Sequence, residues 1–206
     1  PRIEEIKSKR NGRRDYSLIF NVKEEEVALS HEEWLNNPEK FKALSGNIYL
    51  RPLTSAEGLV LPQYVGGNID LSYLASAEGL VLPQYVGGSI VLDSLTSAEG
   101  LALPQHVGRD IVLYSLTSAE GLVLPQHVGG YIDLSSLTSA DGLVLPQYVG
   151  YDIDLRSLTS ADGLVFPHYF DLNKLKCPYN IKEEIMNNPD KYYMEPPTED
   201  KKEIKK

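Results

Sequence analysis

Apolar residues return along this chain on a fixed period. With Leu53 as the start of a unit, the same order of apolar and polar positions begins again at Leu74, Leu95, Leu116, Leu137 and Leu158, every 21 residues, without insertion or deletion. Two stretches in each unit alternate with period two, Leu59-Val60-Leu61 and Ile69-Asp70-Leu71 in the first. Both are bounded by Gly and Pro, which leave no room for a useful helix. Seven columns never turn polar: Leu53, Ala56, Leu59, Leu61, Val65, Ile69 and Leu71, with their equivalents. A unit this short cannot bury its own apolar face, so neighbours must stack and share one core. The expectation is a mainly β solenoid of 21-residue coils, with two short strands per coil and the seven columns inside.

Local chemistry refines the coil. Pro62 and its counterparts follow the first alternating stretch, where a missing N–H ends strand pairing. Gly58 and Gly66 recur, which predicts turns with positive φ or a close approach of stacked backbones. "LSGNIYLRPL" (44–53) aligns with "VGGNIDLSYL" (65–74), and "FPHYFDLNKL" (166–175) breaks the pattern, so the solenoid is expected over 44–175.

Two related segments flank it, "HEEWLNNPEKF" (31–41) and "KEEIMNNPDKY" (182–192). Each reads as a short helix stopped by Asn-Asn-Pro. The division is a tail and N-terminal helical cap over 1–43, the solenoid, and a C-terminal helical cap and tail over 176–206. Trp34, Phe41, Ile185, Met186 and Tyr192 are expected to pack inward, since solenoid ends need cover for their apolar faces and strand edges.

The run "LVLPQYVGGNI" (59–69), repeated in "GLVLPQHVGGYI" (121–132), resembles bacterial leucine-rich repeats, closest to the BspA-like subclass. The likeness covers 44–175; the unit is shorter and has no asparagine ladder at the turn. It implies a leucine-rich-repeat-like solenoid used for protein or surface recognition, and brings no catalytic residues. A three-faced β-helix is the alternative fold.

Charge narrows the partners. The chain of 206 residues carries a formal net charge of −9. Thirteen acids face only Arg109 and Arg156 between Leu53 and Leu172, which leaves the flanks slightly positive. Such a surface does not suit nucleic acid or an anionic membrane. Cys177 is the only cysteine, so no internal disulfide forms. No run reaches the roughly 20 apolar residues of a membrane span. The chain starts at Pro1, and the expectation is a soluble protein or piece of one, secreted or surface-exposed if a signal peptide has been removed.

The units differ most around the second strand. The outward triplets read Asn68/Asp70/Ser72, Ser89/Val91/Asp93, Asp110/Val112/Tyr114, Tyr131/Asp133/Ser135 and Asp152/Asp154/Arg156, while Arg109 and Tyr151 replace a glycine. Alternation puts these on one exposed face. Aromatics with arginines and acids suit a contact surface, so Arg109, Asp110, Tyr114, Tyr131, Tyr151, Asp152 and Arg156 are the candidate partner-binding residues. Drift of an exposed strand explains the same variation without function.

Other columns carry blander readings. Glu57, Glu78, Glu99, Glu120, Asp141 and Asp162 each precede a glycine, which is ordinary turn chemistry, although a carboxylate ladder also suits calcium. Tyr64, Tyr85, His106, His127, Tyr148 and Tyr169 read as a stacked ladder, with His106 and His127 a weak metal pair. The Thr column from Thr54 is broken by Ala75, against an ice-binding array. No nucleotide, hydrolase or zinc-protease motif is present. The reading is a non-enzymatic binding scaffold with no cofactor and no metal, its partner a protein. A glycan-binding or glycan-degrading β-helix and a structural spacer are the alternatives, with the oligomeric state open.

Overall fold

The computed structural model describes residues 18–22, 25–29, 43–44, 46–168 and 170–194. Trp34, Phe41, Tyr169, the expected N-terminal helix and both tails lie outside the described residues.

The chain winds into a β-solenoid of about six turns with 21-residue coils, built on two parallel sheets. In the nine-stranded sheet, β4 (Ile48–Tyr49), β6 (Ile69–Asp70), β8 (Ile90–Val91), β10 (Ile111–Val112), β12 (Ile132–Asp133), β14 (Ile153–Asp154) and β15 (Leu175–Lys176) follow in spatial order. Their register is strict, Ile69 opposite Ile90 and so on to Ile153 opposite Leu175. At the N-terminal end this sheet continues through an antiparallel hairpin of β1 (Leu18–Val22) and β2 (Glu25–Leu29), with Phe20 opposite Ile48. The six-stranded sheet holds β3 (Ala43–Leu44), β5 (Tyr64–Val65), β7 (Tyr85–Val86), β9 (His106–Val107), β11 (His127–Val128) and β13 (Tyr148–Val149).

One strand differs from expectation. Leu59-Val60-Leu61 forms no ladder, and among the described residues this side of the coil shows only two isolated bridges, Val144 to Val165 and Phe166 to Tyr193, both near its C-terminal end. The alternation is kept, Leu59 buried and Val60 outward, but pairing moves past the proline to Tyr64–Val65. The stretch is squeezed between the turn at Gly58 and Pro62, which has no N–H to give a neighbour. Burial period and backbone pairing are thus separable in this repeat.

The inward columns form one continuous core. Val65, Ile69, Leu71 and Leu74 are fully buried, as are their equivalents through the middle coils, while Leu53, Leu61, Leu82 and Leu103 are partly covered. Each fully buried Leu or Ile side chain contributes about 1.5–3 kcal/mol relative to exposure.

The two glycine columns do different things. Gly58, Gly79, Gly100, Gly121, Gly142 and Gly163 have φ between 72° and 82°, the left-handed region, in a turn where a Ser hydroxyl two residues before the acid accepts that acid's backbone N–H. Gly87, Gly108, Gly129 and Gly150 are required by proximity: a Cβ on Gly129 would lie 2.1 Å from the carbonyl oxygen of Gly108 in the coil before.

After Phe166 a 3-10 turn (Leu172–Lys174) leads into β15, then a helix (Tyr179–Asn187) and a short helix (Pro189–Tyr192). Ile181, Ile185 and Tyr192 join the core. Met186, expected to pack inward, is 55% exposed, because the helix turns its Ile181 and Ile185 stripe to the core and Met186 falls beside it.

Candidate functional site

The strict register turns each position of the nine-stranded sheet into a column of side chains, one per coil. The residue before the buried Ile gives Asn47, Asn68, Ser89, Asp110, Tyr131 and Asp152. Four of these form a ladder. Asn47 Oδ1 accepts the Asn68 backbone N–H at 2.7 Å, and Asn68 Oδ1 accepts that of Ser89 at 2.8 Å. Ser89 Oγ donates to Asp110 Oδ2 at 3.0 Å, and Asp110 Oδ1 accepts the Tyr131 N–H at 3.0 Å. The sequence looked bare of such a device because Asn, Ser and Asp share the work. Their common feature, one acceptor oxygen per coil in one column, is the signal that finds it.

This assigns Asp110 a structural task alongside the surface role expected of it. Asp152 and Arg156 also have internal partners. Lys176 lies 2.6 Å from Asp152, and the Asp154 carboxylate accepts from the Arg156 Nε at 3.0 Å and from its backbone N–H at 3.2 Å. That guanidinium holds Asp154 below the usual carboxylate range, against the opposing effect of burial. At the other end of the sheet, Arg51 pairs with the buried Asp70 at 2.6 Å.

Tyr114, Tyr131 and Tyr151 project from consecutive coils and are 56%, 40% and 69% exposed. Arg109 is exposed too, and among the described residues no carboxylate lies within ion-pair reach of it. Between the two paired ends, Asp93 is pushed up, first by burial and then by Asp70 and Asp133. Burial likewise raises the Tyr131 phenol, reinforced by Asp110, Asp133 and Asp93. The middle of the face is therefore aromatic and negative, and its margins are charge-balanced. Tyr49 and Tyr73, outside the candidate set, add exposed rings at the first two coils.

The six-stranded sheet carries a second array. Tyr64, Tyr85, His106, His127 and Tyr148 stack ring on ring, with centroids 4.6, 4.9, 4.9 and 4.5 Å apart and planes within 9° of parallel. The lone pairs of His106 and His127 lie in those parallel planes, so they run side by side and do not converge on one ion. Among the described residues no three His, Cys, Asp or Glu side chains are grouped to hold a metal. Nor is any helix among them long and apolar enough to cross a membrane.

No family model, no curated protein and no solved structure matches the chain.

Proposed function

We propose that this chain is a non-enzymatic binding scaffold, leucine-rich-repeat-like in use, that recognises a protein through the outer face of the nine-stranded sheet. The observation that carries the reading is the set of Tyr114, Tyr131 and Tyr151 side chains, exposed on three consecutive coils beside an exposed Arg109 that has no ion-pair partner among the described residues. Large rigid aromatics supply contact area at low entropic cost, and with arginine they are the residue types on which interface energy concentrates. In this reading the two C-terminal helices serve as a cap and the inner ladder holds the face in register.

A spacer is the second reading. It is favoured by the internal partners of Asp110, Asp152 and Arg156, which show that part of the variable set serves the coil itself. The test is affinity capture from source-cell lysate and cell-surface extracts beside a glycan array. A captured protein with a blank array is the expected result. Binding to the array alone would move the assignment to glycans, and neither would leave the spacer.

A further inference from the structure

A parallel ladder has a direction, and its last strand on each side must do something with the groups that point onward. In the six-stranded sheet the valine carbonyl points to the next coil. Gly87 N–H donates to Val65 O at 2.8 Å, Gly108 to Val86 at 2.8 Å, Gly129 to Val107 at 2.9 Å and Gly150 to Val128 at 2.9 Å. β13 is the last strand of that sheet, so the Val149 carbonyl has no following glycine. The Lys174 ammonium takes its place, donating to Val149 O at 2.5 Å and to Gly150 O at 3.5 Å while lying over the Tyr148 ring at 5.4 Å from its centroid.

The other sides of the last coil are closed in the same sense. Leu175 in β15 holds the place of the buried Ile, whose N–H and C=O both face onward. Its N–H turns back to Leu172 O in the 3-10 turn, and its carbonyl accepts from the Lys182 ammonium at 3.4 Å. On the third side, Phe166 N–H donates to Tyr192 O at 2.7 Å and Phe166 O accepts from Met194 N–H at 2.9 Å. Lys174 also occupies the column of Asn68 and Asp110. There the side chain changes from an acceptor of the next coil's N–H to a donor onto the previous coil's carbonyls.

We propose that Lys174, supported by Lys182, closes this end of the solenoid against strand addition, so that it does not pair with the edge of a second copy. A strand edge with free carbonyls is a template for another chain, and a lysine laid across it is an effective block. An arriving strand would have to displace an ammonium that already has two carbonyls and a ring, and strand its charge at the junction.

The experiment is sedimentation of the chain and of Lys174→Met/Lys182→Met over about a hundredfold range of concentration. Lys176→Met is the control: it neutralises a lysine that pairs with Asp152 on the outer face, one positive charge against the two of the double variant, and Lys174→Met alone matches it charge for charge. The double variant is expected to self-associate at least about tenfold more tightly than the parent, with Lys176→Met and Lys174→Arg behaving as the parent. Equal sedimentation of the double variant and Lys176→Met overturns the proposal, as does association of both to the same degree. If the double variant fails to fold, Lys174→Ala carries the same comparison, since Lys174 is only partly buried.

Discussion

The side-chain oxygen of Asn68 accepts the backbone N–H of Ser89, 21 residues on, at 2.8 Å. That bond ties coil to coil at the corner between the two sheets, beside the backbone bond from Gly88 N–H to Gly67 O, and Ser89 is buried. Asn68→Ala strands the Ser89 N–H and is expected to cost about 1–3 kcal/mol. Asn68→Asp, which keeps the acceptor, is expected to cost less. Urea unfolding of both variants checks the order.

The two glycine columns predict unequal costs for one substitution. At Gly142, with φ 79° and nothing within 4 Å of an added Cβ, alanine meets only backbone strain of about 1–2 kcal/mol. At Gly129 the Cβ would lie 2.1 Å from a carbonyl oxygen and 2.9 Å from a carbonyl carbon of the coil before, so two stacked backbones must part. Gly129→Ala is expected to lower the unfolding midpoint at least twice as far as Gly142→Ala. Equal shifts would mean that the coils are not in contact at this corner.

Two aspartates on the same face predict opposite pH responses. Asp154 is held down by Arg156, so its contribution is present above the unfolded carboxylate range and fades as pH falls through its folded pKa. Asp154→Asn therefore destabilises near neutrality, and that loss closes in strong acid. Asp93 is pushed up by burial and by Asp70 and Asp133, so its ionisation opposes folding above its folded pKa. Asp93→Asn is expected to stabilise near neutrality, with the gain vanishing below about pH 3.9, the unfolded value. Thermal melts of both variants across pH 2–7 give the two signs.

The ring stack predicts a coupling without a metal. A double-mutant cycle on His106→Ala and His127→Ala is expected to give about 0.5–1.5 kcal/mol of interaction, the worth of a stacked pair beyond its buried area. Zinc is expected to leave the melting temperature of the parent chain unchanged, because the two imidazoles aim their lone pairs in parallel. A rise with zinc that disappears in His127→Ala would contradict this.

The coil was legible because its physics is written as a period. Columns such as Val65, Ile69 and Leu71 must stay apolar in every unit, and they do; Gly58 and Gly66 announced a left-handed turn and a close stack, and the structure contains both. The Leu59-Val60-Leu61 strand was misread because hydrophobic alternation reports which way side chains face and is silent on whether backbone N–H groups meet a neighbour. The polar ladder stayed hidden because Asn68, Ser89 and Asp110 look unlike one another until they are treated as acceptors. Lys174 was invisible for a related reason: its task depends on being last, and a repeat pattern describes the units that have a successor. On the candidate face, sequence variation marked one set of strands but did not separate Asp110 and Asp152, which have partners on neighbouring coils, from Arg109, Tyr114 and Tyr151, which are exposed.

The central claim is that the outward tyrosines and Arg109 serve a partner and not the fold. The most direct measurement is affinity capture with three chains: the parent, a chain carrying Arg109→Gly, Tyr114→Ser, Tyr131→Asn and Tyr151→Gly, and a chain carrying Val81→Thr and Val123→Thr on the third side of the coil, where both valines are exposed. The account predicts that a protein retained by the parent and by the valine variant is lost with the four-fold variant, while all three chains unfold at nearly the same urea concentration. The same protein held by all three, or a four-fold variant that loses its fold along with its partner, would contradict it.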